Sequence, residues 1–492
     1  MAVLSVDAGT TSVTAVVVTP DGTIVSRASH EFPQHFPADG WVEHDPADIW
    51  AATLQATSAA LGATDEVVTA VGITNQRETA VFWDRETLGS PRRAIVWQDR
   101  RTAGTCDKLK DDGFEPLVRD RTGLRLDPYF TATKLHWVAH NDPATWSGVQ
   151  AGRVAVGTVD SYLVARMTRG LHHVTDASNA SRTLLFDIHE GTWSSELCEL
   201  FGVPMQALPE VVASFGVVGR TDPASFLGLD LPIAGIAGDQ QAALFGQTAF
   251  AAGQSKCTYG TGSFVLTNTG SVPAASHSGL LTTVAWAAPG GALTYALEGA
   301  IFVTGAAVQW LRDGLGIISD SAQSEALARS VPDSGGVVFV PALTGRGAPD
   351  WDPQARGMII GITRATTAAH IARATLEAIT FEVRDVVDLM AREAGVELQS
   401  LAVDGGASSN DLLCQLQADQ LGVPVRRPTV VETTGLGAAF LAGLGTGVWS
   451  TTDELAQTWR LDREFTPGQR DDESHRRWRR AVERTTGWAA SD

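Results

Sequence analysis

Residues 5–12 read Ser-Val-Asp-Ala-Gly-Thr-Thr-Ser, and this stretch decides the fold. Apolar, β-branched residues lead into Asp7 and return from Val13 to Val18, so two strands are predicted with a turn at Gly9 between them. Such a turn points backbone N–H groups and three consecutive hydroxyls at one spot, which suits a phosphate. Asp7 offers a carboxylate to the Mg²⁺ that accompanies a nucleotide. The stretch predicts a phosphate-binding hairpin, with an ordinary glycine-rich hairpin as the alternative.

The same pattern returns far along the chain. Residues 256–266 read Lys-Cys-Thr-Tyr-Gly-Thr-Gly-Ser-Phe-Val-Leu, which again predicts a strand, a glycine-rich turn and a strand. A third predicted strand, 401–404, runs into a glycine-rich turn that opens a helix at Asp411. Glycines in such turns let the backbone approach a ligand closely. Two copies of one hairpin indicate an internal duplication.

Length and composition limit the class of protein. A chain of 492 residues predicts two large domains. The formal net charge of −19 argues against nucleic acid or an anionic membrane surface as a partner. Neither a signal peptide nor an apolar run approaching the ~18 residues of a membrane span is evident, so no stable membrane insertion is expected. The four cysteines are far apart and are predicted to be reduced structural thiols of a cytoplasmic protein.

Two polar groups stand at the ends of apolar strands. Residues 74–79, Thr-Asn-Gln-Arg-Glu-Thr, follow a predicted strand, and Asp239 follows the predicted strand 232–237 at the start of a helix. Polar side chains in such places cost free energy unless they face a site or solvent. Both groups therefore indicate a binding site. Helix capping is the alternative role for Asp239, and the helix N-terminus predicts a low pKa for its carboxylate.

Several motifs together resemble those of the FGGY carbohydrate kinases, nearly from end to end of the chain. They are residues 7–12, 40–46, 72–79, 97–101, 238–246 and 404–407. The three glycine-rich turns also resemble the nucleotide-binding core shared by actin, the Hsp70 chaperones and the sugar kinases. The resemblance implies an α/β fold with two actin-like, ribonuclease H-like domains, at residues 1–247 and 248–492, and an active site in the cleft between them.

The branch of this family with the most similar motifs phosphorylates glycerol, with MgATP as donor and ADP and sn-glycerol 3-phosphate as products. The resemblance also implies a homo-oligomer, either a dimer or a tetramer. Two alternatives remain open. One is a kinase for another small polyol or a ketose, and the other is a non-catalytic actin-like ATP-binding protein.

The resemblance assigns roles to individual residues. Those implied to hold the polyol are Arg77, Glu78, Trp97, Tyr129, Asp239, Gln240 and Phe264. Those implied to contact the nucleotide are Thr10, Thr11, Ser12, Thr14, Thr261, Gly305, Gln309, Gly406 and Asn410. Asp7 and Asp239 are implied to face Mg²⁺, and Asp239 is implied to act as the general base.

The chain departs from the family pattern beside the first phosphate turn. Where the family usually has an arginine shortly after the first phosphate turn, this chain has Thr14. The departure removes a cation from the surroundings of the nucleotide phosphates. Arg100 is the candidate that could replace it.

Overall fold

Two large β-sheets form the centres of two layered α/β units. The computed structural model describes residues 1–395 and 397–489. In the first sheet the strands lie in the order Phe215–Arg220, Pro232–Gly238, Val68–Asn75, Ala2–Ala8, Ser12–Val18 and Ile24–Glu31. The second, third and fourth strands of this order are parallel, and the remaining neighbours pair antiparallel.

The second sheet repeats this arrangement. Its strands lie in the order Leu281–Ala287, Leu293–Ile301, Ser263–Gly270, Ser255–Tyr259, Leu401–Asp404, Val425–Pro428 and Leu461–Phe465. In both sheets an antiparallel hairpin is followed by two parallel strands that add on the side of its first strand. In both, a helix precedes the first of these, Pro46–Gly62 in one and Ala368–Ala394 in the other. The predicted duplication is confirmed by this shared topology.

Smaller elements cover and connect the sheets. Two-stranded sheets pair Glu43–His44 with Ala94–Ile95, Val81–Asp84 with Val154–Gly157, Val174–Asp176 with Glu210–Val212, Phe186–Asp187 with Thr192–Trp193, and Val338–Val340 with Met358–Ile360. The remaining α-helices are Ala103–Asp111, Glu115–Thr122, Thr131–Asn141, Pro143–Gln150, Val159–Met167, Ala177–Ala180, Ser195–Phe201, Asp239–Gly246, Gly305–Asp313, Gln323–Arg329, Asp411–Leu421, Thr433–Thr446, Thr452–Ala456 and Asp472–Val482.

The side chains of the first strand alternate between two apolar layers. Leu4 and Val6 pack into the layer beneath helix Pro46–Gly62, whereas Val3 packs into the layer beneath helix Thr433–Thr446. Successive side chains of a strand point to opposite faces, so a strand covered by a helix on each side is apolar throughout. This explains why every residue of strand Ala2–Ala8 except Asp7 is buried.

Helix Thr433–Thr446 comes from the C-terminal half of the chain but lies on the first sheet. It crosses helix Asp239–Gly246 with the two backbones in direct contact. A Cβ atom on Gly437 would overlap the carbonyl group of Ala242, and one on Gly246 would overlap the carbonyl oxygen of Thr433. The two halves of the chain are therefore joined at the floor of the cleft by backbone packing that only glycine allows.

Three further predictions concern the cysteines, membrane insertion and the domain boundary. All four cysteines are free and buried, as predicted for structural thiols. No helix among residues 1–395 and 397–489 is long and apolar enough to cross a bilayer. The predicted boundary after residue 247 falls between helix Asp239–Gly246 and strand Ser255–Tyr259.

The crossing yields a stability prediction. Gly437→Ala should lower the free energy of unfolding by about 1–3 kcal/mol, because the added methyl group must push two helices apart. Alanine is otherwise the better helix former, so a loss of stability isolates the contact. Gly104→Ala is the matched control, since nothing lies within 4 Å of the added carbon in helix Ala103–Asp111. Urea unfolding of both variants checks this, and an unchanged Gly437→Ala variant would contradict the packing argument.

Candidate active site between the two sheets

The first hairpin ends at a braced turn. The N–H of Gly9 donates to the carbonyl of Ser12 at 3.0 Å. From the neighbouring strand, the side-chain amide of Gln76 donates to the Gly9 carbonyl at 2.9 Å. The indole N–H of Trp97 donates to the Thr10 hydroxyl at 2.9 Å, and Thr11 is exposed beside it. The predicted phosphate turn is therefore tied directly to two segments that were assigned to the polyol.

The second hairpin carries a helix on its turn. The N–H of Gly305 donates to the Gly260 carbonyl at 3.0 Å, and the N–H groups of residues 304 and 306 donate to the Thr261 carbonyl. The third turn packs against the same hairpin, because a Cβ on Gly405 would stand 2.6 Å from the Tyr259 carbonyl oxygen. The structure thus brings Thr261, Gly305 and the turn containing Gly406 together.

Two predicted nucleotide residues lie further out. Gln309 is exposed on helix Gly305–Asp313. Asn410 caps helix Asp411–Leu421, since its side-chain oxygen accepts the N–H of Leu413 at 2.9 Å. The contacts among the described residues do not join either side chain to the phosphate turns, so their assignment to the nucleotide stays a prediction.

Arg77 is the centre of the predicted polyol group. Its guanidinium is buried and contacts Asp239 at 3.1 Å and the Tyr129 hydroxyl at 3.5 Å. It also lies 5.7 Å from the centre of the Phe264 ring, which belongs to the second sheet. Trp97 meets Tyr129 edge-on, with ring centroids 5.6 Å apart. Polar and aromatic residues from both halves of the chain therefore surround one guanidinium.

Sequence reasoning missed two members of this cluster, Arg182 and Glu298. With Arg77 and Glu78 they form a closed ring of alternating charge in which every member is buried. The distances around the ring are 2.7 Å from Arg182 to Glu78, 3.9 Å from Glu78 to Arg77, 2.5 Å from Arg77 to Glu298 and 2.8 Å from Glu298 to Arg182. Removing one partner from a buried pair is strongly destabilising, so each charge requires the others. The sequence held one signal for Glu298, a single carboxylate inside the apolar strand Leu293–Ile301.

The ring sets the charge states of its members. Burial disfavours ionised Glu298, but Arg182 and Arg77 outweigh burial and lower its pKa. Burial also opposes the charge on Arg77, yet Glu298 and the other acidic neighbours together outweigh it and the pKa of Arg77 is raised. For Glu78 burial wins over Arg182, and its pKa is raised. Glu78 also has a φ of 62°, which is uncommon for a residue other than glycine and is typical of backbone held for function.

The prediction of a low pKa for Asp239 was wrong. Burial raises the pKa of this carboxyl, and the nearby Arg77 offsets the rise only in part. Asp239 is also not the N-cap of its helix, because Gly238 holds that position and Asp239 is the first helical residue. Its carboxylate accepts the N–H of Gln240 at 2.7 Å. Desolvation in the cleft outweighs the helix dipole here.

Lys256 is a further buried cation that sequence reasoning did not assign. Its ammonium donates to the side-chain oxygen of Gln240 at 2.5 Å and to the Thr258 hydroxyl at 2.7 Å. Burial lowers the pKa of Lys256. Because Lys256 occupies the amide oxygen, the NH₂ end of Gln240 remains as its free donor. Gln240 can therefore offer a hydrogen bond to a ligand hydroxyl, while Asp239 beside it can accept one.

Thr14 lies directly opposite Asp7 across the first hairpin, and its hydroxyl donates to the Ser29 hydroxyl at 3.1 Å. Arg100, the candidate to replace the missing cation, pairs with Asp127 at 2.9 Å instead. Asp7 itself is half-buried at the end of its strand, and one of its carboxylate oxygens lacks a hydrogen-bond partner among the described residues.

Comparison with known proteins places the chain in a class. The profile of the FGGY family of carbohydrate kinases, N-terminal domain, matches residues 2–246, and that of the C-terminal domain matches residues 255–446. The chain therefore belongs to the FGGY family of carbohydrate kinases, and the expected pair of actin-like domains is confirmed.

Individual relatives narrow the comparison to members of the family that carry a named activity. The chain is 52% identical to "Glycerol kinase 2" of Thermotoga maritima and 53% identical to "Glycerol kinase" of Symbiobacterium thermophilum, with 99% of each chain covered in both comparisons. The crystal structure of Plasmodium falciparum glycerol kinase with ADP matches with a TM-score of 0.91 at 34% identity, covering 98% of both chains. A xylulose kinase from Lactobacillus acidophilus matches with a TM-score of 0.86 at 21% identity, which shows the shared fold alone.

A buried lysine behind the site yields a pH prediction. The ammonium of Lys134 donates to the carbonyls of Tyr129 and Phe130 at 2.5 and 3.1 Å, and burial lowers its pKa to about 7. Above pH 7 the unfolded chain binds a proton that the folded chain does not, so stability rises with pH toward the pKa of about 10.4 of a free lysine. Lys134→Met should remove this contribution to the rise of stability with pH.

Urea unfolding at pH 7.5, 8.2 and 9 checks the sign. The unfolding free energy of the wild type minus that of Lys134→Met should rise by on the order of 1 kcal/mol per pH unit. Lys110→Met is the control, because Lys110 is only partly covered by its pair with Asp107. A difference that stays constant with pH would contradict the lowered pKa.

Proposed function

We propose that the protein phosphorylates glycerol, taking the γ-phosphoryl group of ATP and releasing sn-glycerol 3-phosphate and ADP. The observation that carries the proposal is the placement of Asp239, which joins the Arg77 cluster on one side and acts electrostatically on Asp7 of the first phosphate hairpin on the other. An acceptor hydroxyl held by the cluster then lies on the path to the phosphate turn. The glycerol kinases named above, similar over the whole chain, support the same substrate.

The cluster suits a small polyol. Arg77 and the NH₂ end of Gln240 donate hydrogen bonds, and Glu78 and Asp239 accept them. Trp97 and Phe264 supply apolar faces for the carbon chain. A buried polar site of this kind discriminates strongly against ligands that lack a hydroxyl, because its own groups are then left unpaired.

The transfer itself needs one proton acceptor. The acceptor oxygen bonds to the γ-phosphorus while the bond from that phosphorus to the oxygen bridging the β- and γ-phosphates breaks, and ADP leaves. Asp239 takes the hydroxyl proton. Its raised pKa favours proton capture more than an ordinary aspartate would. Phosphoryl transfer has a loose transition state, so positioning by Arg77 and the braced hairpin contributes most of the rate.

The residues near Asp7 fit a divalent cation. Burial, with smaller contributions from Asp239 and Glu432, raises the pKa of Asp7 to about 8 against the opposing effect of Arg27. An unpartnered carboxylate oxygen among other carboxylates is an oxygen ligand that Mg²⁺ prefers. Asp7 and Asp239 would hold Mg²⁺, which would supply charge neutralisation to the phosphates. The division into residues 1–247 and 248–492, a cytoplasmic location and a homo-oligomer are proposed with the function.

An acceptor panel tests the proposal. In a coupled assay of ADP release, glycerol should show a higher kcat/KM than dihydroxyacetone, erythritol or xylulose, since the cluster matches three adjacent hydroxyls on a short chain. A clearly higher value for xylulose would favour the alternative, a ketose kinase. Absence of turnover with all four acceptors, together with ADP binding, would favour a non-catalytic ATP-binding protein.

The base has its own test. Asp239→Asn keeps the shape and can still accept the N–H of Gln240, but it cannot take the hydroxyl proton. We expect kcat to fall ~10²–10⁴-fold while ADP affinity and the melting temperature change little. Asp230→Asn, on an exposed loop, is the control and should keep wild-type kcat. A folded Asp239→Asn variant that keeps more than about a tenth of wild-type kcat would leave Asp239 with only a structural role.

A further inference from the structure

Arg27 lies on the same face of the first sheet as Asp7. In the strand Ile24–Glu31, Ser26 faces helix Pro46–Gly62, since its hydroxyl donates to the Ala60 carbonyl. Arg27 is the next residue along the strand, so its side chain leaves the opposite face. The pairing register agrees, because Arg27 lies opposite Val16 and Ser29 lies opposite Thr14. Residues directly opposite share a face, which places Asp7, Thr14, Ser29 and Arg27 together.

This face is rich in carboxylates. Asp7 and Asp239 act on each other across it, and Glu432 comes from the segment just before helix Thr433–Thr446. Arg27 pairs with Glu432 at 2.8 Å, and its charge opposes the effect of the carboxylates on Asp7. Both side chains of the pair are close to half exposed, at 48% and 41%. An exposed ion pair between long side chains exchanges partners easily.

We propose that Arg27 binds the nucleotide phosphates and that Glu432 holds its guanidinium when no nucleotide is bound. The inference rests on the proposed function, because it needs a polyphosphate at the first hairpin. Thr14 lacks a positive charge, and its hydroxyl bonds to Ser29. Arg27 lies one strand beyond Thr14, two residues along from Ser29 on the same face, and its charge acts on Asp7. Its planar guanidinium forms strong paired hydrogen bonds with phosphate oxygens.

ADP binding to the full chain, measured by calorimetry without an acceptor, tests this role. Arg27→Met keeps most of the apolar stem and removes the charge, and it should weaken ADP binding about tenfold or more. Glu432→Gln frees the arginine and should bind ADP as tightly as the wild type or more tightly. Arg220→Met is the matched control. It removes an exposed arginine, paired with Asp230 at 2.6 Å, from the other edge of the same sheet, and should leave ADP affinity unchanged.

A rescue separates a direct role from a structural one. Two variants return a cation to this face. The double variant Arg27→Met/Thr14→Arg and the single variant Arg27→Lys should each bind ADP more tightly than Arg27→Met does. The proposal is overturned if Arg27→Met binds ADP as the wild type does, or if neither cation recovers affinity. It is also overturned if Glu432→Gln loses the same affinity and melting temperature as Arg27→Met, because the pair would then only tie the helix to the sheet.

The result is distinguishable from a failure of the proposed function. If wild-type protein does not bind ADP, the kinase proposal falls together with the role of Arg27. If it binds ADP and prefers glycerol but Arg27→Met has no effect, only the role of Arg27 falls. The order of acceptors in the panel should be the same for Arg27→Met and for the wild type, since Arg27 does not contact the polyol cluster.

Discussion

The arrangement of the cleft depends on the ring of four buried charges formed by Arg77, Glu78, Arg182 and Glu298. Ions removed from water are tolerated only when opposite charges and hydrogen bonds replace the solvent. Three members come from the first half of the chain, and Glu298 comes from a strand of the second sheet. The two halves must therefore meet at this point for any of the four charges to be satisfied. Two of the residues proposed to hold the polyol, Arg77 and Glu78, are thus members of a buried structural ion network.

The end of one strand contacts both proposed parts of the site, the phosphate turn and the acceptor residues. Directly after strand Val68–Asn75, the side chain of Gln76 contacts Gly9 of the phosphate turn. The next residue, Arg77, contacts Asp239. Glu78 follows in a left-handed backbone conformation that turns the chain sharply. Such a conformation persists only where the surrounding structure fixes it, as the buried ion pairs of Glu78 do here. Adjacent residues after one central strand thus contact both the glycine-rich turn and Asp239.

Charge is distributed unevenly over the molecule. The chain carries a net charge of −19, yet Arg77, Arg182 and Lys256 are all buried at the cleft. An acidic surface keeps the protein soluble, whereas local cations are needed where polyphosphate and developing negative charge must be stabilised. The pKa of Asp239 illustrates the balance, because burial raises it and Arg77 restrains the rise. A carboxylate with a raised pKa binds a proton more readily than an aspartate in water.

The sequence by itself determined the local elements and their duplication. Strand and turn signals at residues 5–12 and 256–266 depend on neighbours in the chain, and both hairpins formed where predicted. The sequence also predicted a binding site at the residues after strand Val68–Asn75 and at Asp239, because polar groups at strand ends indicate a site. Only the tertiary structure decided their partners. Arg182 lies in a segment with no distinctive local pattern, and the hairpin pattern around Lys256 says nothing of that side chain's role. Both roles follow from contacts with residues 104 and 16 positions away in the chain.

The packing of helix Thr433–Thr446 on the first sheet and the pKa of Asp239 were also decided only by the tertiary structure. Glycine is a poor helix former, yet Gly437 lies within helix Thr433–Thr446, and backbone contact with Ala242 explains why it is required there. The helix dipole predicts a low pKa for Asp239, but the depth of the cleft reverses the direction. Arg27 faces Asp7 because the pairing of three strands sets its side of the sheet. Burial, register and charge pairing are properties of the assembled sheets, and they arise only when distant segments pack together.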